Sequence, residues 1–324
     1  MRITGQLIDA TTGAHLWADR FEGDLTDIFQ LQDQVTVSVV GAIEPTVRVA
    51  EIERALRKPT ENLEAYDMVL RGRWWTYQPT REGILEEAVR LFRRAIALDP
   101  NYALAYALLA RTQFIYAAFH LKNPSEDELV EYADLARTAV RLGQTDPEAL
   151  CFAAHIIALP GGDLTEGIAI IDRGALAQNP NSADALAISG MLRAFAGDTE
   201  MAFRHLKEAD RLGPPGVRII TKAFGFYLAS FVDGDYAGVL DWTAQNLREH
   251  PTNTVSLRYR TAALGLLGRL DEARQTAARL LAVSPGLTIA RCRRHVEVEM
   301  KNPYRRPGVA EAYYEGLRLA GLPE

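Results

Sequence analysis

Apolar residues recur along most of the chain at the three- and four-residue spacing of amphipathic helices, and several of these stretches run into a proline. The successive distances from Pro147 to Pro180, Pro214, Pro251 and Pro285 are 33, 34, 37 and 34 residues. Proline lacks a backbone N–H and ends a helix, so each of these prolines marks the turn into a further unit. The pattern therefore predicts a helical unit of about 34 residues that is repeated along the chain.

Small residues recur inside these units at positions where two helices have to approach each other closely. The clearest unit contains Gly190, Ala202, Leu206, Ala209 and Pro214, and the first unit contains Gly72, Ala88, Phe92, Ala95 and Pro100. This combination of small residues, one bulky residue and a closing proline resembles the tetratricopeptide repeat. The resemblance implies a solenoid of antiparallel helix pairs.

Three of the six predicted units depart from the repeat pattern. The unit boundaries are 62–100, 101–146, 147–180, 181–214, 215–251 and 252–285. The first unit has about four extra residues near Tyr77. The second is long, since Pro100 and Pro147 are 47 residues apart, and we expect the excess in the segments 120–125 and 143–145. The fifth lacks the expected alanines.

The periodic signal fades after Pro285, but 309–320 again has the spacing of an amphipathic helix, which we interpret as a capping helix. The predicted fold is therefore mostly α: a tetratricopeptide-repeat solenoid of about six helix pairs plus a capping helix, with a short N-terminal β-hairpin. We expect residues 62–320 to be almost wholly helical and elongated.

The first 22 residues follow a different period. Residues 2–10 and 15–21 alternate like half-buried strands, with 11–13 as the turn, and a helix kinked at Pro45 is expected to begin at Asp24. An isolated hairpin is marginally stable in water, so this one needs a sheet or a partner to pair with. A homo-oligomer formed through the hairpin is one such pairing.

The hairpin sequence also resembles the closing part of the TolB-like domain of bacterial multidomain regulators. The likeness is carried by Arg2-Ile3-Thr4, Gln6-Leu7-Ile8-Asp9, Thr12-Gly13, Leu16-Trp17-Ala18-Asp19-Arg20-Phe21, Asp27-Ile28-Phe29 and Gln32-Asp33. In such regulators this domain precedes tetratricopeptide repeats and follows a class III adenylate cyclase or a winged-helix DNA-binding domain. The resemblance implies a TolB-like remnant at 1–58, repeats at 62–285 and a C-terminal capping region at 286–324. It also implies a short or truncated relative, since the output domain is missing.

Charge and cysteine content narrow the class of function. A net charge of −6 argues against a general affinity for nucleic acid, whose phosphates require a basic face. The arginines and lysine between 291 and 306 are a local exception, interpreted as a solvated face, with nucleic-acid binding as the alternative. The two cysteines, Cys151 and Cys292, lie far apart and suggest neither a disulfide nor a thiolate metal site. With no signal peptide or membrane span evident, we expect a cytoplasmic protein.

No catalytic or cofactor motif stands out. The six histidines have no metal-ligand spacing, and the glycine-rich phosphate loops and the Gly-x-Ser-x-Gly elbow are missing from the sequence. Class III cyclase chemistry would need two metal-binding aspartates on a sheet, whereas Asp9 and Asp19 are better explained as outward or turn residues of the hairpin. We expect neither enzyme activity nor a cofactor, although family resemblance could give the protein an adenylate cyclase name.

The family analogy does suggest a binding groove. In tetratricopeptide repeats the first helix of each pair lines the concave groove, and by that analogy the residues that point into it are Tyr66, Arg73, Tyr77, Arg111, Phe114, His155, Met191, Phe195 and Arg258. Aromatic, methionine and arginine side chains are enriched at binding hot spots. The alternative is that these are ordinary exposed residues.

Two of these residues suggest a ligand. Arg73 and Arg111 occupy matching positions of adjacent units, so the groove would suit an acidic peptide or a C-terminal carboxylate unless each arginine pairs with a carboxylate of this chain. The leading interpretation is a protein–protein interaction module that binds a partner protein or peptide and acts in signalling. The alternative is the non-catalytic C-terminal part of an adenylate cyclase-like or transcriptional regulator.

Overall fold

The computed structural model describes residues 2–8, 15–22, 64–76, 84–120, 122–213 and 220–324. The predicted helix that begins at Asp24, the hairpin turn at 11–13 and the side chain of Tyr77 lie outside these residues.

The N-terminal hairpin is formed as predicted. Strands β1 (Arg2–Ile8) and β2 (His15–Glu22) pair antiparallel, with Gly5 opposite Asp19. The register is interrupted between Leu7 and Ile8, where the ladder has an irregularity. Asp19 is exposed, in keeping with its interpretation as an outward residue.

Helix pairs follow one another along the rest of the described chain. Their first and second members are α1 (Ala65–Thr76) and α2 (Ile84–Leu98), α3 (Ala103–His120) and α4 (Glu126–Leu142), α5 (Pro147–Ala158) and α6 (Leu164–Ile170), α7 (Ala183–Ala196) and α8 (Thr199–Leu212), α9 (Ile220–Asp233) and α10 (Tyr236–Glu249), and α11 (Thr254–Leu266) and α12 (Leu270–Val283). The sequence-predicted boundaries place each pair in one unit.

Local signals fix where these helices begin and end. Asp146 caps α5 by accepting hydrogen bonds from the backbone N–H groups of Glu148 and Ala149, with proline as the first helical residue. Ser125 and Glu128 form a capping box at the start of α4. Gly197 ends α7 with a φ of 85°, a conformation that glycine adopts without strain.

The predicted small positions are where the helices of a pair touch. A Cβ atom on Gly72 would lie 2.5 Å from the ring of Phe92, and one on Gly190 would lie 2.6 Å from Leu206. Phe92 and Leu206 are both fully buried. Larger side chains at these glycines would push α1 from α2 and α7 from α8.

The extra length of the second unit lies in its helices as well as in the predicted turns. Helices α3 and α4 are 18 and 17 residues long, against 14 each for α7 and α8, and residues 122–125 and 143–146 are not helical. In the third unit, α6 continues through a π-helical segment (Ile171–Ala175) into a short turn (Leu176–Gln178).

The C-terminal region forms two further elements. Helix α13 (Ile289–Arg294) runs into a π-helical segment (His295–Glu299), and α14 (Val309–Leu319) confirms the predicted capping helix. Helix α14 packs on α11 at Gly316 and Gly265, where a Cβ atom on either glycine would collide with the backbone of the facing helix. The close approach buries Tyr313 and Leu317.

We had expected an open, elongated array, but the array is closed. Thr254 at the start of α11 donates a hydrogen bond to the carbonyl oxygen of Phe119 at the end of α3, 135 residues earlier. Arg294 donates hydrogen bonds to Asn123 and to the carbonyl oxygen of Pro124, both at 3.3 Å. The periodic pattern sets how each pair packs on the next, but it does not show that the sixth unit returns to the second.

Candidate binding site on the concave face

The first helices of the pairs face inwards, and closure of the array encloses a cavity of about 80 Å³ among them. Helices α3, α5, α7, α9 and α11 and the C-terminal region all contribute side chains to its wall. Most of this wall is aromatic or aliphatic, with Phe114, Met191, Phe224 and Tyr227 as examples. Among the described residues that line the cavity there is no aspartate or glutamate.

Arg258 is the buried cation of this wall. Its side chain is 3% exposed, and its guanidinium donates hydrogen bonds to the carbonyl oxygens of Ala118 (3.2 Å) and Thr254 (3.4 Å). In the described part of the chain, no carboxylate lies within 4.0 Å of it to form an ion pair. Arginine keeps its charge even when buried, so the cavity wall carries an unbalanced positive charge.

His155 is the second polar group of the wall. It is 4% exposed, and its ring meets that of Phe114 edge-on, with 5.8 Å between the centroids. Its Nδ1 atom has no hydrogen-bond partner in the described structure. Burial lowers the pKa of His155 well below its usual range, and the nearby charge of Arg111 lowers it further. The imidazole is therefore neutral at physiological pH and can donate or accept one more hydrogen bond.

His295 lies in the same wall but is already paired. Its Nδ1 atom is 2.7 Å from Glu299, whose other carboxylate oxygen accepts a hydrogen bond from Arg291 at 2.7 Å. Burial lowers the pKa of His295 more than the bond to Glu299 raises it. For the carboxylate, the partners outweigh the effect of burial and hold the pKa of Glu299 below its usual value. The negative charge of Glu299 is therefore balanced by Arg291.

The opposite end of the concave face, which we call the open end, contains Tyr66, Arg73 and Arg111. Tyr66 is 48% exposed, whereas Arg73 is buried and bonds to Glu148 at 2.5 Å, with Asp184 at 4.0 Å. The guanidinium of Arg111 lies over the ring of Phe152 at 4.9 Å. Arg73 thus pairs with carboxylates of this chain, which was the alternative to anion binding.

The remaining predicted groove residues are buried. Met191 lines the cavity, and Phe195 contacts Phe224 and Tyr304 in the aromatic packing next to it. The structure therefore brings four predicted residues together at the cavity: Phe114, His155, Met191 and Arg258. Tyr66, Arg73 and Arg111 lie in the open end instead.

Three of the C-terminal arginines, a group interpreted from the sequence as a solvated face, bind distant parts of the chain. Arg291 and Arg294 bind the 122–124 segment. Arg306 donates to the carbonyl oxygens of Val232 (2.8 Å) and Gly197 (3.3 Å). These bonds fasten the C-terminal region across the array, because long cationic side chains can reach carbonyl groups of distant segments.

Sequence reasoning missed His295, which lines the cavity, and its partner Glu299. The available signal was a histidine and a glutamate four residues apart on a helical stretch, interleaved with the apolar Val296 and Val298. That signal lies after Pro285, where the repeat pattern had faded.

The described residues hold no group of three or more histidine, cysteine, aspartate or glutamate side chains that could bind a metal ion. Both cysteines are buried and unbonded to each other. No helix of the described segments is long and apolar enough to cross a lipid bilayer. What the cavity wall offers chemically is apolar contact, the buried cation of Arg258 and the neutral imidazole of His155.

Comparison with known sequences gives a partial relative. No protein-family model matches the chain. A protein of Rhizobium meliloti (strain 1021) named "Putative adenylate cyclase 3" is 34% identical over 151 residues. The match covers 46% of this chain and 25% of that protein, so the chain spans about a quarter of the curated relative it matches.

A solved structure shares the fold at low identity. The human IFIT1 dimer with m7Gppp-AAAA has a TM-score of 0.55 and 17% identity, covering 80% of this chain and 60% of that one. A tetratricopeptide repeat protein from Parabacteroides merdae ATCC 43184 has a TM-score of 0.42 and 14% identity, covering 79% of this chain and 98% of that one. The predicted tetratricopeptide-like helical solenoid with a short N-terminal hairpin is confirmed.

Proposed function

We propose that this chain is a protein-interaction module without catalytic activity of its own, and that a partner protein or peptide docks at the open end of its concave face. The observation that carries this is the gradient of exposure along that face. Tyr66 is 48% exposed at one end, whereas Phe114, His155 and Arg258 are 3–4% exposed at the other. A partner can therefore contact Tyr66 without displacing the packed core.

The open end has the side-chain types that dominate binding energy. Tyr66 and Arg73 are seven residues apart and so lie on one face of α1, and Arg111 stacks on Phe152 on the neighbouring helices. Tyrosine and arginine are enriched at hot spots. Because Glu148 and Asp184 already balance Arg73, that arginine serves the fold, and partner contact is assigned to the exposed Tyr66 as the anchor.

A protein partner suits the charges better than nucleic acid does. The chain has a net charge of −6, and the arginines of the C-terminal region are bonded to carbonyl or carboxylate groups of the chain itself. Nucleic-acid binding depends on several cations that are available to phosphates.

The test compares capture of partners from a lysate of the source organism by the wild type, Tyr66→Ala and Leu98→Ala. Leu98 is the matched control, since it is 44% exposed in the same unit but lies on the second helix. Loss of a hot-spot tyrosine should weaken capture by about 2 kcal/mol, or roughly thirtyfold. Equal capture by three proteins with the same melting temperature would rule out docking at Tyr66.

The partial relative favours a second proposal, that the chain corresponds to the non-catalytic C-terminal part of an adenylate cyclase-like regulator. It is supported by the match to a quarter of a cyclase-named protein and by the likeness of the hairpin to a TolB-like domain. Sequencing the DNA upstream of Met1 tests it. An in-frame cyclase or winged-helix segment would support it, and an unrelated reading frame ending in a stop codon would contradict it.

A further inference from the structure

The cavity at the closed end is separate from the open end proposed for the protein partner, and its wall carries one charge. Arg258 is 3% exposed and is the only lysine or arginine among the described residues that line the cavity. Its Nε atom donates a hydrogen bond to the carbonyl oxygen of Thr254, and its Nη2 atom donates to that of Ala118. Its third nitrogen atom, Nη1, donates to no oxygen atom of the described residues. Part of the hydrogen-bonding capacity of this guanidinium is therefore left over.

The ionisable groups around this guanidinium do not balance its charge. Those that act on it most strongly are three tyrosines and one thiol, at Tyr227, Tyr259, Tyr313 and Cys292. Burial is the main cause that raises the pKa of each of these four groups above its usual value. All four are therefore protonated and neutral at physiological pH, whereas the arginine stays charged. A buried charge is unfavourable unless an opposite charge lies against it.

The volume of the cavity limits what can lie against Arg258. It is about 80 Å³, whereas an engineered apolar cavity of about 150 Å³ takes up benzene. Because a water molecule occupies about 30 Å³ in the liquid, the space is that of roughly two or three water molecules. A carboxylate with an alkyl chain or a tetrahedral oxyanion such as sulfate is too large for it. A single-atom anion such as chloride fits without movement of the wall.

We propose that this cavity binds one halide ion, with chloride as the physiological case, against the guanidinium of Arg258. One negative charge neutralises the single cation of the wall, and the ion accepts the N–H groups that no oxygen atom of the described residues accepts. Because Arg258 also bonds to Ala118 across the closure, a bound ion holds this side chain in place and strengthens the contact between α11 and α3. Binding of the ion is thereby linked to the closed form of the array.

The first experiment uses bromide, a halide that scatters X-rays anomalously, in crystals of the full chain. Crystals grown in sodium bromide should show an anomalous peak inside the cavity, in contact with the guanidinium of Arg258. A cavity that holds ordered water and no bromide would overturn the proposal. Anomalous peaks confined to exposed arginines would overturn it as well, since they would indicate an adventitious ion only.

The second experiment measures binding in solution, by the broadening of the chlorine NMR signal of sodium chloride when the protein is added. Bromide should narrow the signal again, because it replaces chloride in the cavity. Sulfate at the same ionic strength should leave a part of the broadening in place, because it reaches exposed arginines but does not fit the cavity. Complete narrowing by sulfate would place all the bound chloride on the surface and would contradict the proposal.

A pair of variants assigns the contact to Arg258. Arg258→Met should reduce the sulfate-resistant broadening at least about fivefold, whereas Arg260→Met should leave it unchanged. Arg260 is the matched control because it lies on the same helix but donates to the carbonyl oxygen of Leu240, away from the cavity. Undiminished sulfate-resistant broadening in a folded Arg258→Met protein would contradict the proposal. The bromide and sulfate measurements on the wild type decide the question if Arg258→Met does not fold.

Discussion

Arg258 donates a hydrogen bond of 3.2 Å to the carbonyl oxygen of Ala118, a residue 140 positions earlier in the chain. This bond joins the first helix of the sixth unit to the first helix of the second. Together with the bond from Thr254 to Phe119, it closes the concave face at one end. The closure turns part of a repeat groove into a cavity and leaves Tyr66 accessible at the other end.

Closure should depend on Arg294 and not on its neighbour Arg293. Arg294 bonds to Asn123 and Pro124 across the closure, whereas Arg293 pairs with Glu297 one helical turn away. We expect Arg294→Ala to speed amide hydrogen exchange in the segment 118–125 severalfold, because that segment loses two of its long-range bonds. Mass-spectrometric hydrogen exchange measures this, with Arg293→Ala as the control. Identical exchange of the segment in both variants would contradict the assigned role.

Arg73 should matter for stability before it matters for partner binding. Its side chain is 4% exposed and bonds to Glu148, so Arg73→Ala leaves the partly buried carboxylates of Glu148 and Asp184 without their cation and should destabilise the fold by about 2 kcal/mol. Arg90, in an exposed pair with Glu87, is the control, and Arg90→Ala should cost less than about 1 kcal/mol. Urea unfolding compares the two. A small change for both variants would mean that Arg73 is not a structural cation.

Acid should destabilise the protein before its carboxylates titrate. Burial lowers the pKa of His155 and of His295. Between their folded pKa values and the ordinary histidine value of about 6.5, the unfolded chain therefore binds more protons than the folded one. Stability then rises with pH through this window and is lost as the pH falls below about 6.5, by up to about 1.4 kcal/mol per pH unit for each histidine.

Unfolding in urea at pH 7.5, 6.5 and 5.5 checks this dependence. His155→Phe should reduce the loss between pH 6.5 and 5.5, because it removes one of the histidines whose pKa is lowered by burial. The exposed His120→Gln is the control and should lose as much stability as the wild type. A wild type equally stable at all three pH values would contradict the buried, neutral state of these histidines.

The helix pairs were predictable because their causes are local. Pro147, Gly72 and Gly197 act through their own backbone or through a partner helix in the same unit, and each of these constraints recurs with the repeat period. The capping helix at 309–319 was predictable for the same reason, since its apolar spacing is visible within eleven residues.

Closure was not predictable, because its partners are far apart in sequence. Whether Arg258 faces an open groove or a buried cavity depends on Ala118, and no local pattern connects the two. The analogy with other repeats placed Phe114, His155, Met191 and Arg258 on the concave face, and the structure brings them to one cavity. It could not show that the C-terminal region covers them, since Arg291 and Arg294 look the same in sequence whether they face water or a carbonyl group.

The most direct test of the closed array is a distance measurement across the closure by double electron–electron resonance. Spin labels are placed at Lys122→Cys and Ala290→Cys, two exposed positions beside the contact between Arg291 and the carbonyl group of Lys122. The native Cys151 and Cys292 are buried, so labelling should be confined to the introduced thiols. The closed array predicts a single narrow distribution at short distance. A broad distribution at long distance, as in an open superhelix, would contradict it.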